Sequence, residues 1–97
     1  MPTYQRAARF DRDYAQLTAE QREAFKRAIG AFVEDLNAGR RFRRSWRVKG
    51  VQRAPGVFEM TWAADGGATY EFGNSVRKGD THMIWRRIGT HDVLDEA

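Results

Sequence analysis

The spacing of apolar and polar positions changes period once along this chain. In the first part, Phe25, Ala28, Ile29, Phe32, Val33 and Leu36 recur at i, i+3, i+4, i+7, i+8 and i+11, the one-sided stripe of a helix lying on a larger apolar surface. The stretch Thr18-Ala-Glu-Gln21 in front of it reads as a capping box, in which the Thr18 hydroxyl and the Gln21 side chain satisfy each other's orphan backbone donors. A helix therefore starts there, and Asn37 to Gly39 end it, with Gly39 suited to a left-handed C-cap. Upstream, Phe10, Tyr14 and Leu17 at i, i+4 and i+7 predict a shorter helix that Asp11 can cap. Tyr4 to Phe10 reads as an edge strand. Gly30, inside the second helix, costs about 1 kcal/mol relative to alanine, and close approach to the first helix is the expected compensation.

From Ser45 the period becomes two. Trp46 and Val48 point one way, Arg47 and Lys49 the other. Pro55-Gly56 marks a turn, after which Phe58, Met60 and Trp62 share a face opposite Glu59 and Thr61. Ala64-Asp-Gly-Gly67 signals a hairpin, and Ala68, Tyr70 and Phe72 then alternate with Thr69 and Glu71. A polar loop over Gly73 to Thr81 leads to a last strand from about His82 to Ile88. These elements predict an α+β domain with two N-terminal helices packed on one face of a mainly antiparallel, four- to five-stranded sheet. Alternation then leaves Arg47, Lys49, Glu59, Thr61 and Glu71 on the helix-free face. In the last strand the isoleucines make better core residues, so Ile84 and Ile88 are assigned inward, Trp85 and Arg87 to the open face, and Arg86 to the core rim.

Composition narrows the class. Ninety-seven residues, 41% hydrophobic and 31% charged, suit one domain spanning 1–97. No apolar run approaches the roughly 20 residues that span a bilayer, the first ten residues carry no apolar signal core, and cysteine is absent. A cytoplasmic protein without a membrane partner is the expectation. The net charge of +4 is unevenly spread: no acid lies between Leu36 and Phe58, where Arg40, Arg41, Arg43, Arg44, Arg47, Lys49 and Arg53 supply seven of the 17 basic residues. That basic centre suits a polyanion such as RNA better than it suits a plain solvated loop.

The open face collects the parts of metal-free RNA cleavage, namely a proton acceptor for the 2′-hydroxyl, a donor for the leaving 5′-oxygen, and cations for the charge on phosphorus. His91 stands just beyond the last strand, after the break at Gly89. Arg87 and Glu59 join it as the candidate catalytic set, with Arg47, Lys49, Arg43 and Arg44 as phosphate contacts and Trp85 as a base-stacking ring. Glu59 has a second reading as the cross-strand partner of Lys49, and His82 is read as structural. His82, His91, Asp80 and Asp92 match no metal-ligand spacing, so no cofactor is expected.

The segment Arg87-Ile88-Gly89-Thr90-His91-Asp92-Val93-Leu94 resembles the C-terminal strand and tail of RelE-type toxins of the RelE/ParE superfamily, above all its YafQ-like branch with a Gly-Thr-His segment there. Asp13-Tyr14 with Leu17, the helix ending Asp35-Leu36-Asn37-Ala38-Gly39, and Trp46-Arg47-Val48-Lys49 are similar in order and spacing, so the resemblance covers nearly the whole chain. It implies a toxin of a toxin–antitoxin module, an endoribonuclease (mRNA interferase) acting on mRNA in the ribosome and neutralised by a cognate antitoxin that covers the helices, the sheet or both. By position, His91 matches the tail histidine of YafQ-like members, and Arg47 and Lys49 match basic residues of the second strand. Many active relatives carry an arginine on the strand equivalent to Val57 to Ala63. This chain has none between Arg53 and Arg77, which leaves that task to Arg87. A ParE-like toxin directed at gyrase, or a degenerate toxin that only binds, stays open as the alternative.

Overall fold

The computed structural model describes residues 3–38, 46–52, 54–76, 79 and 81–90. Strand β1 (Thr3–Arg6) leads into helices α1 (Ala8–Gln16) and α2 (Ala19–Asn37), followed by strands β2 (Lys49–Gly50), β3 (Val57–Ala63), β4 (Gly66–Gly73) and β5 (His82–Gly89). The strands form one sheet in the order β1-β5-β4-β3-β2. All neighbours run antiparallel except β1, which lies parallel to β5. This is the α+β architecture that the periods predict, with one short strand completing each edge.

The helices bury their stripes on one face of the sheet. Phe10 and Leu17 from the α1 side and Phe25, Ala28 and Phe32 from α2 meet Met60, Trp62, Ala68, Tyr70, Met83, Trp85 and Ile88 in a single core. Aromatic rings dominate it. Phe25 lies edge-on to both Trp62 and Trp85, and Phe32 edge-on to Tyr70, with centroids 5.7–6.0 Å apart. The capping box forms as read, Thr18 accepting from the Gln21 N–H and Gln21 from the Thr18 N–H.

Five local expectations are corrected. The first strand ends at Arg6, because Phe10 is needed in the helical stripe with Tyr14. Helix α1 accordingly begins at Ala8, and Ala7 rather than Asp11 is its N-cap, with no side-chain cap bond. Gly30 approaches nothing, since a Cβ there would meet no atom within 4 Å. The strand expected from Trp46 starts only at Lys49, because Arg47 adopts a left-handed backbone (φ 46°) that interrupts extended structure. Phe72, expected inward, is 46% exposed at the end of β4, although its ring still rests 5.6 Å from Tyr70.

The last strand departs from simple alternation for a definite reason. Tyr70 pairs with Trp85 while the preceding Thr69 pairs with Arg87, so Arg86 is an extra residue, a β-bulge. The bulge changes the phase of β5. Met83 and Trp85 face the helices before it, and Ile88 faces them after it, so Ile88 is inward as expected, but Ile84 is not. The other strand junction is fixed by His82. This buried ring binds Gln5 Oε1 through Nε2 at 3.0 Å and the Thr3 hydroxyl through Nδ1 at 2.7 Å, tying β1 to β5.

Candidate functional site

On the helix-free face the registers of four strands align into one row. Lys49 stands opposite Glu59, Glu59 opposite Thr69, and Thr69 opposite Arg87. Three of the residues singled out in the sequence (Lys49, Glu59 and Arg87) therefore share a line across the sheet, placed there by period-two alternation in β2 to β4 and by the bulge in β5. Thr69, between the two charged ends, is fully buried, and among the described residues its hydroxyl finds no hydrogen-bond partner.

Each cation of the row is engaged by a carboxylate. Lys49 Nζ lies 3.9 Å from Glu59 Oε2, the lysine 71% exposed and the glutamate only 16%. Glu59 is thus both the cross-strand partner of Lys49 and a mostly buried carboxylate paired in register with Thr69. Arg87 donates from Nε to Asp13 Oδ2 at 2.7 Å and from Nη2 to Oδ1 at 3.1 Å, a bidentate pair in which both side chains are about seven-eighths buried. On the next row Arg86 reaches Glu71 at 3.4 Å, which places it on the helix-free face instead of the core rim. Arg47 differs from all of these. It is exposed and makes no ion pair with any described residue, and its backbone is left-handed two residues before β2.

Trp85 is not a stacking ring for RNA. It is 4% exposed and packed among Phe10, Phe25, Phe32 and Tyr70, because it precedes the bulge and so falls on the core side. His91, Arg43 and Arg44 lie outside the described residues. Strand β5 ends at Gly89, with Thr90 half-buried after it. Among the described residues no three His, Asp or Glu side chains are grouped as metal ligands. In the sequence Asp13 figures only in the resemblance, beside Tyr14 and Leu17, and is given no role at the site. The available signal was an acid at i+3 from Phe10 and i−4 from Leu17, inside the stripe that packs on the sheet.

The opposite side of the molecule carries a second feature. An apolar groove of about 580 Å³ runs between α2 and the β1 edge, walled by Tyr4, Phe10, Phe25, Ile29, Val33 and Trp85, with Gly30 in its lining and Lys26 and Glu34 also bordering it.

No protein-family model matches the sequence, and neither does any curated protein. Solved structures do. The chain superimposes on Escherichia coli YafQ in its DinJ–YafQ toxin–antitoxin complex with a TM-score of 0.68 at 15% identity, covering 96% of each chain. The chain has the fold of the YafQ toxin. YafQ by itself gives a TM-score of 0.66 at 13% identity over 97% of this chain and 98% of that one. A copper-bound mutant toxin from Helicobacter pylori gives 0.64 at 14% identity over 97% and 99%. Coverage near unity on both sides means that the YafQ fold accounts for both helices and all five strands.

Proposed function

We propose that this chain is the toxin of a toxin–antitoxin module and cleaves mRNA on the ribosome without a metal. The observation that carries the reading is the end-to-end likeness to YafQ, a toxin found bound to its antitoxin DinJ. The basic centre and the Gly-Thr-His tail support it from the sequence. In the reaction, a base removes the proton of a ribose 2′-hydroxyl, whose oxygen attacks the adjacent phosphorus. The bond to the 5′-oxygen then breaks as an acid returns a proton to it. His91 serves as acid or base, Glu59 is the carboxylate at the same face, and Arg87 stabilises the charge on phosphorus. Arg47 and Lys49, with Arg43 and Arg44, hold the RNA backbone.

The antitoxin is assigned to the groove beside α2, whose apolar walls suit the apolar side of an amphipathic segment. Among the described residues no helix is long and apolar enough to cross a membrane. Primer extension on translating ribosomes tests the proposal. Wild-type protein creates new mRNA ends and His91→Ala creates far fewer. Equal cleavage by both removes His91 from the mechanism.

A second reading has its own support in the row itself. Lys49 and Arg87 both sit against carboxylates, and if those pairs persist when RNA arrives the chain binds without cutting, through a ParE-like action on gyrase or as a degenerate toxin. Growth arrest with intact mRNA and inhibited supercoiling in a gyrase assay distinguishes it.

A further inference from the structure

We propose that Asp13 is the positioning residue of this site, fixing the Arg87 guanidinium at the β5 end of the row that Thr69 and Glu59 continue across the sheet. The inference rests on the ribonuclease reading above and adds to it a residue of α1, the helix farthest from any chemistry read in the sequence.

The need for such a residue arises from the sheet edge. Strand β1 pairs with β5 only from His82 to Trp85 and then turns away, its last link being the Ala7 N–H to the Trp85 carbonyl at 2.9 Å. From the bulge onward no strand of the described residues flanks β5 on that side, and among them the Ile88 N–H would be left without a backbone partner. Asp13, one turn into α1, takes that place. Its Oδ2 accepts from the Ile88 N–H at 3.3 Å as well as from Arg87 Nε, while Oδ1 accepts from Arg87 Nη2. One carboxylate thus receives three donors from two consecutive residues, one of them backbone.

The backbone bond matters for function. It fixes the carboxylate to β5, and the carboxylate in turn fixes the orientation of the guanidinium plane relative to the sheet. A helix lock alone would need only the charge pair. The Arg87 side chain is only 12% exposed and is held through Nε and Nη2, with Nη1 buried as well, so its guanidinium is fixed in place and not free in solvent. Bidentate seating removes rotamer freedom from a long side chain before any phosphate arrives, the preorganisation that electrostatic stabilisation of a transition state depends on.

The test uses the full chain in the ribosome-dependent cleavage assay, with NMR of the arginine Nε–H signals in parallel. Asp13→Ala is expected to lower kcat about 10- to 100-fold with KM changed by less than about threefold. Asp13→Glu keeps the charge and the edge acceptor but displaces the guanidinium by about a methylene, and loses activity while keeping a cooperative melt. The combination Asp13→Ala/Arg87→Ala should be no slower than Arg87→Ala alone, because the two act as one unit. A purely structural Asp13 would give losses that multiply. In the wild type the Arg87 Nε–H gives a sharp, slowly exchanging signal, which Asp13→Ala abolishes. Cleavage by Asp13→Ala within twofold of wild type, multiplying losses in the double variant, or an unprotected Arg87 signal in the wild type each overturns the proposal alone. A wild-type chain that cuts no mRNA overturns the ribonuclease reading and this inference with it.

Discussion

The Trp46 indole donates its Nε1–H to the Asp35 carboxylate at 3.0 Å, joining the last turn of α2 to the start of the β2 segment. Asp35 is 3% exposed, so its carboxylate depends on donors of this kind. Trp46 also lays its ring edge-on to Phe32. Trp46→Phe keeps much of that ring contact and removes the donor. We expect it to cost about 1–3 kcal/mol in urea unfolding, with an unchanged m-value.

Arg47 provides an opposite case. A non-glycine residue at φ 46° is strained by about 1–2 kcal/mol, and glycine relieves the strain at some cost in unfolded-chain entropy. Arg47→Gly should therefore stabilise the chain by about 0.5–1 kcal/mol while weakening RNA binding, and Arg47→Ala should weaken binding without the gain. Paired melting curves and RNA titrations at fixed salt check both halves.

The two halves of the chain were not equally legible in its sequence. A capping box and a six-residue stripe gave α2 its start and face, since both depend on residues one turn apart. The open-face positions of Lys49 and Glu59 followed from alternation, because β3 is regular on either side of Glu59. Alternation failed in β5, where a backbone event adds Arg86 to one strand only, and no side-chain pattern marks it. Trp85 was misplaced for this reason. The partner of Arg87 was hidden by distance along the chain, as Asp13 stands 74 residues away and touches β5 only because β1 stops short.

Gly30 tests the groove. With nothing near its Cβ position, Gly30→Ala should stabilise α2 by about 1 kcal/mol and leave the groove largely open. Gly30→Trp should fold but fill the space, lowering affinity for the antitoxin at least about tenfold, or roughly 1.4 kcal/mol. Calorimetric titration of each variant with the antitoxin measures the difference. Equal affinities would place the antitoxin elsewhere.

Tyr70 sets an upper limit on pH. Burial in the aromatic core pushes its phenol up from 10.0 to about 12. The folded state thus keeps a proton that the unfolded chain releases. The associated stability is complete below pH 10.0 and is lost as the pH rises towards about 12, at up to about 1.4 kcal/mol per pH unit. Tyr70→Phe should flatten that loss. Absorbance titration at alkaline pH, run beside urea unfolding at each pH, should show the Tyr70 phenol ionising together with unfolding.

The pairing of Thr3 with His82 has a consequence for how the protein comes into being. A chain is made from its N-terminus, yet β1 cannot find its neighbour until β5 has been made, and Phe25 and Phe32 have no Trp85 to close over until then. Nearly every large ring of the interior waits on the same strand. Helix α2 can form early and meet the β3–β4 hairpin through Phe25 on Trp62 and Phe32 on Tyr70, but the interior stays open on one side until β5 arrives between β1 and β4. Closure is therefore a late event, and a nascent chain halted before residue 82 should display the part of its apolar stripe that Trp85 covers to chaperones and proteases.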